Sequence, residues 1–143
     1  MRNIIASSFA DTDDVAAFKK WYKAYRDHGM TDEASTKAAF VKGDNGIGFS
    51  GIFCATEKEC LCALPPEEWK SKWETRAKAS GKGVIVTYNN KDVTGRLGDT
   101  MPSKSKRLNP ALIDLNPGFA KAFGVKPPFM LKGVSWRWAD DVV

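Results

Sequence analysis

A chain of 143 residues with 43% hydrophobic and 27% charged residues has the size and composition of one globular domain, which excludes a fibrous repeat or a wholly disordered chain. Its formal net charge of +5 favours acidic partners, among them nucleic acid, anionic cell-wall polymer and acidic proteins, without choosing between them. No apolar run reaches the roughly 20 residues of a membrane-spanning helix, so no membrane partner is expected.

Met1 to Phe9 carries one Arg and a brief apolar stretch before Asp11, Asp13 and Asp14, too little for the apolar core of a secretory signal. Localisation is therefore open, the expectation being cytoplasmic synthesis with phage-associated or other delivery if the target is the cell wall. Residues 11–28 read as a helix, because Asp11 or Thr12 can cap it and Val15, Phe18, Trp21, Tyr22 and Tyr25 recur at helical spacing. Gly29 ends it; Thr31 caps a second, shorter helix carried by Ala34, Ala38 and Val41 as far as Gly43. The two helices are expected to cover one side of the domain, with their aromatic stripe in the core.

Gly43 to Gly51 holds four glycines in nine residues, which suits a tight crossing or a loop facing a ligand. It lacks the spacing of a phosphate loop or a dinucleotide fingerprint, and no cofactor is expected. Cys54, Cys60 and Cys62 are odd in number, so they cannot all be paired with one another. Their spacing, with the sole His28 far away, is not that of a zinc set, and no metal is expected.

Leu64-Pro65-Pro66 opens a helix that runs through Ala79, with Trp69 and Trp73 on one face. Those rings serve either to pack the helix or to stack on a sugar. Val84 to Tyr88, a turn at Asn89-Asn90, and Val93 to Leu97 read as a β-hairpin. Lys104, Lys106 and Arg107 lie in a basic loop, which is either plain surface or a binding edge. Asn116 is a cap, Pro117 suits the first helical turn and Gly124 a stop, so a helix of two turns follows Ile113-Asp114-Leu115. Phe129 to Trp138 alternates as a last strand, with Met130, Lys132, Val134, Trp136 and Trp138 on one face. Trp136 and Trp138 are expected inside a barrel. No linker or repeat divides the chain, which is read as a single domain, 1–143.

The order of strand, Gly98-Asp99-Thr100-Met101-Pro102, loop, Ile113-Asp114-Leu115-Asn116, short Ala-rich helix ending in Phe123-Gly124, and final strand resembles the double-psi β-barrel of the rare-lipoprotein-A-like family. The resemblance covers about residues 83–138. Ala63-Leu64-Pro65 extends it upstream, and Ile5 to Phe9 is similar to the family's opening strand. It implies a mainly β fold, a six-stranded double-psi β-barrel decorated by N-terminal helices at about 11–42. Relatives of that fold include expansins, family 45 endoglucanases, lytic transglycosylases, plant defence proteins and protease inhibitors.

Asp114 matches the Asp of the family's Ile-Asp-Leu motif, the candidate general acid of its catalytic members, and Asp99 matches the Asp of Asp-Arg-Gly-Pro. Cleavage of a glycosidic bond needs a carboxyl that is protonated near neutral pH, which burial or a second nearby carboxylate supplies. The resemblance thus implies a polysaccharide-directed protein that binds glycan or peptidoglycan and acts as a lytic transglycosylase or glycoside hydrolase. Asp114 and Asp99 would be catalytic, with Arg107, Trp69, Trp73, Phe49 and Asn116 holding the sugar.

Two alternatives stand beside it. Short Asp side chains at strand ends and turns often bind backbone amides. Thr100-Met101 stands where the family has Arg-Gly, and Ala111-Leu112 where members carry Arg or His. The alternative function is therefore a non-catalytic protein-interaction module, such as a protease inhibitor or a phage or mobile-element structural component. Nucleic acid is disfavoured because no aromatic-basic binding motif is present. A monomer is expected.

Overall fold

The computed structural model describes residues 2–106 and 110–141. Six strands close into a barrel: β1 (Ile4–Ser8), β2 (Leu61–Leu64), β3 (Gly83–Tyr88), β4 (Lys91–Thr100), β5 (Ile113–Leu115) and β6 (Met130–Trp138). Their order around the wall is β1-β5-β2-β4-β3-β6, with β1 parallel to β5, β2 parallel to β4, and the other pairs antiparallel. This mixed, closed topology is compatible with a double-psi barrel, and the added helices make the fold mainly β with helical decoration.

The barrel interior is filled by Ile4, Ala6, Cys62, Leu64, Val84, Val86, Leu97, Ile113, Leu115, Val134, Trp136 and Trp138. These come from alternate positions of the strands, as a wall one residue thick requires. Trp136 and Trp138 meet edge to face with centroids 5.2 Å apart, a favoured aromatic geometry. The hairpin of β3 and β4 turns at Asn89 and Asn90, both at positive φ (52° and 63°), where Asn is better tolerated than most residues.

Three expectations are corrected. The simple alternation of the last strand breaks: Met130 and Lys132 face solvent while Leu131 is buried. The reason is an extra residue. Ile4 pairs with Val134 but Ala6 pairs with Leu131, so three steps of β6 oppose two of β1, and Gly133 at φ +71° absorbs the bulge that resets the faces.

The helix expected from Leu64 to Ala79 is two helices, α3 (Pro66–Trp73) and α4 (Arg76–Ala79). Glu74 breaks the helix at positive φ (71°) in a tight turn closed by the Thr75 N–H donating to the Trp73 carbonyl at 2.9 Å, and the Thr75 hydroxyl caps α4 by accepting from the Lys78 N–H at 3.2 Å.

The N-terminal helices, α1 (Thr12–Asp27) and α2 (Asp32–Phe40), are inserted between β1 and β2. Their aromatic stripe is not barrel core, for Val15 is the sole buried residue of α1 and Trp21 remains 37% exposed. Its rings instead pack on one another, Phe18 on Phe40 (5.0 Å between centroids) and Trp21 beside Tyr25 (5.7 Å), while the Tyr22 hydroxyl donates to Asp32. Thr31 caps α2 as expected, accepting from the Ala34 N–H at 3.2 Å.

The last helix, α5 (Pro117–Phe123), follows the expected punctuation, with Asn116 as N-cap and Gly124 left-handed at its end. Among the described residues no helix is long and apolar enough to cross a membrane.

Candidate functional site

Asp99 and Asp114 lie on one row of the barrel wall. Ala63 of β2 is the register partner of Asp99 in β4 on one side and of Asp114 in β5 on the other, and Asp114 is in turn opposite Ser7 of β1. Residues opposite one another project to the same face. Cys62, Ile113 and Leu115, which alternate with Ala63 and Asp114, fill the interior. A register shift that sets two steps of β4, from interior Leu97 to Asp99, against one step of β2 resets the alternation, so the row Ser7, Asp114, Ala63, Asp99 is on the outer face. Two strand spacings separate the acids, about 10 Å between their Cα atoms.

Both carboxyls are half-buried and engaged. Asp114 accepts a hydrogen bond from the Ser7 hydroxyl. Asp99 accepts from the backbone N–H of its neighbour Thr100 at 2.8 Å. Burial pushes the Asp99 carboxyl up to about 6; the Thr100 N–H opposes this, Asp44 adds to it, Arg76 opposes it and Asp114 adds a smaller push. Loss of hydration raises an acid's pKa when no compensating cation is close enough to overcome it.

The loop from Gly43 to Phe53 sits against this row. A Cβ on Gly48 would overlap the Gly98 carbonyl oxygen and come within 2.9 Å of the Asp99 Cβ, so only glycine lets the loop approach so closely. Phe49, next in the chain, is buried edge-on against Trp69 (5.4 Å between centroids), with the Arg76 guanidinium 5.8 Å above its ring.

The remaining nominated residues occupy different places. Trp69 is 2% exposed and donates its indole N–H to the Thr100 hydroxyl at 3.1 Å. Trp73 is half-buried, edge-on to Trp138 at 5.7 Å, and lines a surface cavity of about 550 Å³ with Lys82, Gly83, Ala139 and Asp140. Asn116 is fully buried. Its amide oxygen accepts from the Leu61 and Phe119 N–H groups, and its nitrogen donates to the carbonyls of Cys54, Thr56 and Glu59. Arg107 lies outside the described residues. The structure thus brings Asp99, Asp114, Phe49 and Trp69 to one region, and leaves Trp73 at another face.

No family model matches the chain. No curated protein matches it either. Among solved structures it is similar to the Streptomyces papain inhibitor, at 25% identity and a TM-score of 0.46, over 66% of this chain and 83% of that one.

Several residues of the site escape a reading of sequence alone. Ser7 becomes the partner of Asp114 only through a parallel pairing across more than a hundred residues. Arg76 approaches Asp99 because the helix breaks at Glu74. Ile47 and Phe53, 52% and 45% exposed, face each other as an isolated antiparallel bridge at the end of the glycine-rich loop. The glycine spacing marked that loop; nothing in it marked which residues would point outward.

Proposed function

We propose that the chain is a non-catalytic protein-binding module of the inhibitor type, presenting the loop from Gly43 to Phe53 on a rigid barrel. The observation that carries this reading is the pair Ile47 and Phe53. Two large apolar side chains stand in solvent on a loop that is held shut by its own backbone. The Gly48 N–H donates to the Ile52 carbonyl (2.8 Å) and the Cys54 N–H to the Gly46 carbonyl (2.6 Å). The Asn45 side chain accepts from the Ile47 N–H at 3.0 Å. A loop already fixed in one shape loses little conformational freedom on binding, and so keeps more of its contact energy as affinity. Buried Trp69 and Phe49 present no open ring face to a sugar, which supports the same reading.

The test is binding and inhibition against purified papain and representative serine proteases. Saturable binding to one of them, weakened at least tenfold by Ile47→Asp and by Phe53→Ala, is the expected result. No saturable binding up to about 100 μM by the folded wild-type chain would reject it.

A second reading, glycan cleavage with Asp114 as general acid and Asp99 as its partner, is favoured by one observation: the two acids share a row of the barrel wall, each the register partner of Ala63. Its test is release of soluble anhydro-muropeptides from purified peptidoglycan, abolished in Asp114→Asn. Absence of both release and peptidoglycan binding would dispose of it.

A further inference from the structure

Between α1 and the Phe53 limb of the loop lies an open groove of about 250 Å³, lined by Thr12, Val15, Ala16, Lys19, Phe53 and Ala55. Its floor is Val15 and Ala55, both buried, and one wall is the exposed ring of Phe53. Gly46 allows it to form. A Cβ there would lie 2.9 Å from both the Val15 Cγ2 and the Ala55 Cβ, and Gly46 adopts φ +76°, a conformation open to glycine at no steric cost. Ala16 keeps the helix side of the groove low.

The groove is small and nearly all apolar, with one charge. A dry cavity of about 150 Å³ accepts benzene, whereas sites for cofactors and drug-sized ligands start at about 300 Å³. The space therefore fits one phenyl or branched aliphatic side chain. Lys19 lies one helical turn beyond Val15, and its ammonium forms no ion pair among the described residues. The neighbouring lysines of the same hairpin, Lys23 and Lys37, do pair, with Asp27 and Glu33.

We propose that this groove is a pocket for a single apolar side chain of a protein partner, flanked in that partner by a carboxylate that pairs with Lys19. The inference rests on the protein-binding reading and adds to it the chemistry of the partner. The apolar side chain would displace poorly held water from Val15, Ala16 and Ala55 and lie against Phe53. The carboxylate would select for acidic over amidated or basic sequences. A polyanion such as nucleic acid is disfavoured as occupant, because it offers phosphates to an apolar floor.

The experiment is an NMR titration of the whole chain with N-acetyl-phenylalanine, as the free acid and as its amide. Saturable shifts at Val15, Ala16 and Ala55 are expected with millimolar affinity, the amide binding about threefold more weakly, as a partly exposed ion pair allows. Lys19→Glu, an exposed change compatible with folding, should erase or reverse the difference between acid and amide. Ala16→Trp should fill the groove and remove the shifts. Shifts that do not saturate or that map elsewhere, equal binding of acid and amide, or tighter binding of an oligothymidylate at Lys19 would each overturn the proposal. If the titration succeeds while every protease fails to bind, the inhibitor reading falls and the pocket stands; an inert groove beside intact protease binding reverses that outcome.

Discussion

Asn116→Ala should be the most damaging single polar substitution in the chain. The side chain is fully buried and makes five hydrogen bonds, capping α5 at Phe119 and tying the Leu61 amide to the carbonyls of Cys54, Thr56 and Glu59. Loss of the cap costs about 1 kcal/mol. A buried Leu61 N–H left without its partner adds about 1–3 kcal/mol, and the freed carbonyls add more. The sum is about 4 kcal/mol, a large part of the roughly 5–15 kcal/mol that holds a domain together. At this chain length it corresponds to a fall in Tm of about 12 °C. Urea and thermal unfolding followed by circular dichroism measure it. Asn116→Asp is the informative control. It keeps the acceptor but turns an oxygen toward three carbonyls, and burial there raises the folded-state pKa of the new acid above its unfolded value. Its damage should be least below pH 4 and grow as pH rises through that raised pKa, whereas the Ala variant's should be flat. A fall in Tm of less than about 4 °C for Asn116→Ala would show that the clamp is not what joins α5 to β2.

Asp99 titrates at about 6 when folded and near 3.9 when unfolded. Only the folded chain holds that proton between these values, so stability should decline as pH rises from about 4 to about 6. Asp99→Asn, which keeps an acceptor for Thr100, should flatten this slope and stabilise the protein at pH 7. A urea midpoint with unchanged pH dependence would contradict the assignment. Gly48→Ala should cost about 2 kcal/mol by forcing the loop off Gly98 and Asp99; faster hydrogen exchange at the Ile52 and Cys54 amides, which close the loop on the Phe49 and Gly46 carbonyls, is the expected signature, and undisturbed protection the adverse one. The three thiols are free, and burial pushes Cys54 up to about 12 and raises Cys62 further. Half-buried Cys60 should therefore alkylate first with iodoacetamide at pH 8, read by mass spectrometry. Equally fast labelling of Cys54 would mean that the loop opens readily.

Local chemistry was legible where a residue's own backbone preference decides the outcome. The turn at Asn89-Asn90, the cap at Asn116, the stop at Gly124 and the cap at Thr31 all stand where short-range rules place them. The barrel was legible through resemblance, and its strands through β-branched composition in β3 and alternation in β6. What escaped was set by long-range pairing. β2 reads simply as Leu-Cys-Ala-Leu and is buried at every position, so it has no alternation to reveal it. The bulge at Gly133 flips half of β6 because β1, distant in sequence, imposes its own register. The α1 aromatics carry a core-like period, but their partners prove to be α2 and one another. Periodicity reports that a face is covered; it cannot report by what.

The two functional readings divide on the state of one loop. A catalytic pair of Asp114 and Asp99 needs a sugar within reach of both carboxyls, yet Gly48 rests on the Gly98–Asp99 backbone and Phe49 is packed against Trp69. To admit a glycan there the loop must lift, drawing Gly48 off Gly98 and Asp99 and pulling Phe49 from Trp69 into solvent. A binder gains from the opposite property, because each of those contacts holds Ile47 and Phe53 in the shape they present. Gly48→Ala therefore acts in opposite directions: it should weaken protein binding by loosening the tip, and should uncover Asp99 to solvent. Gain of glycan binding in that variant would favour the catalytic reading, and loss of protease binding without such gain would favour the loop as the working surface.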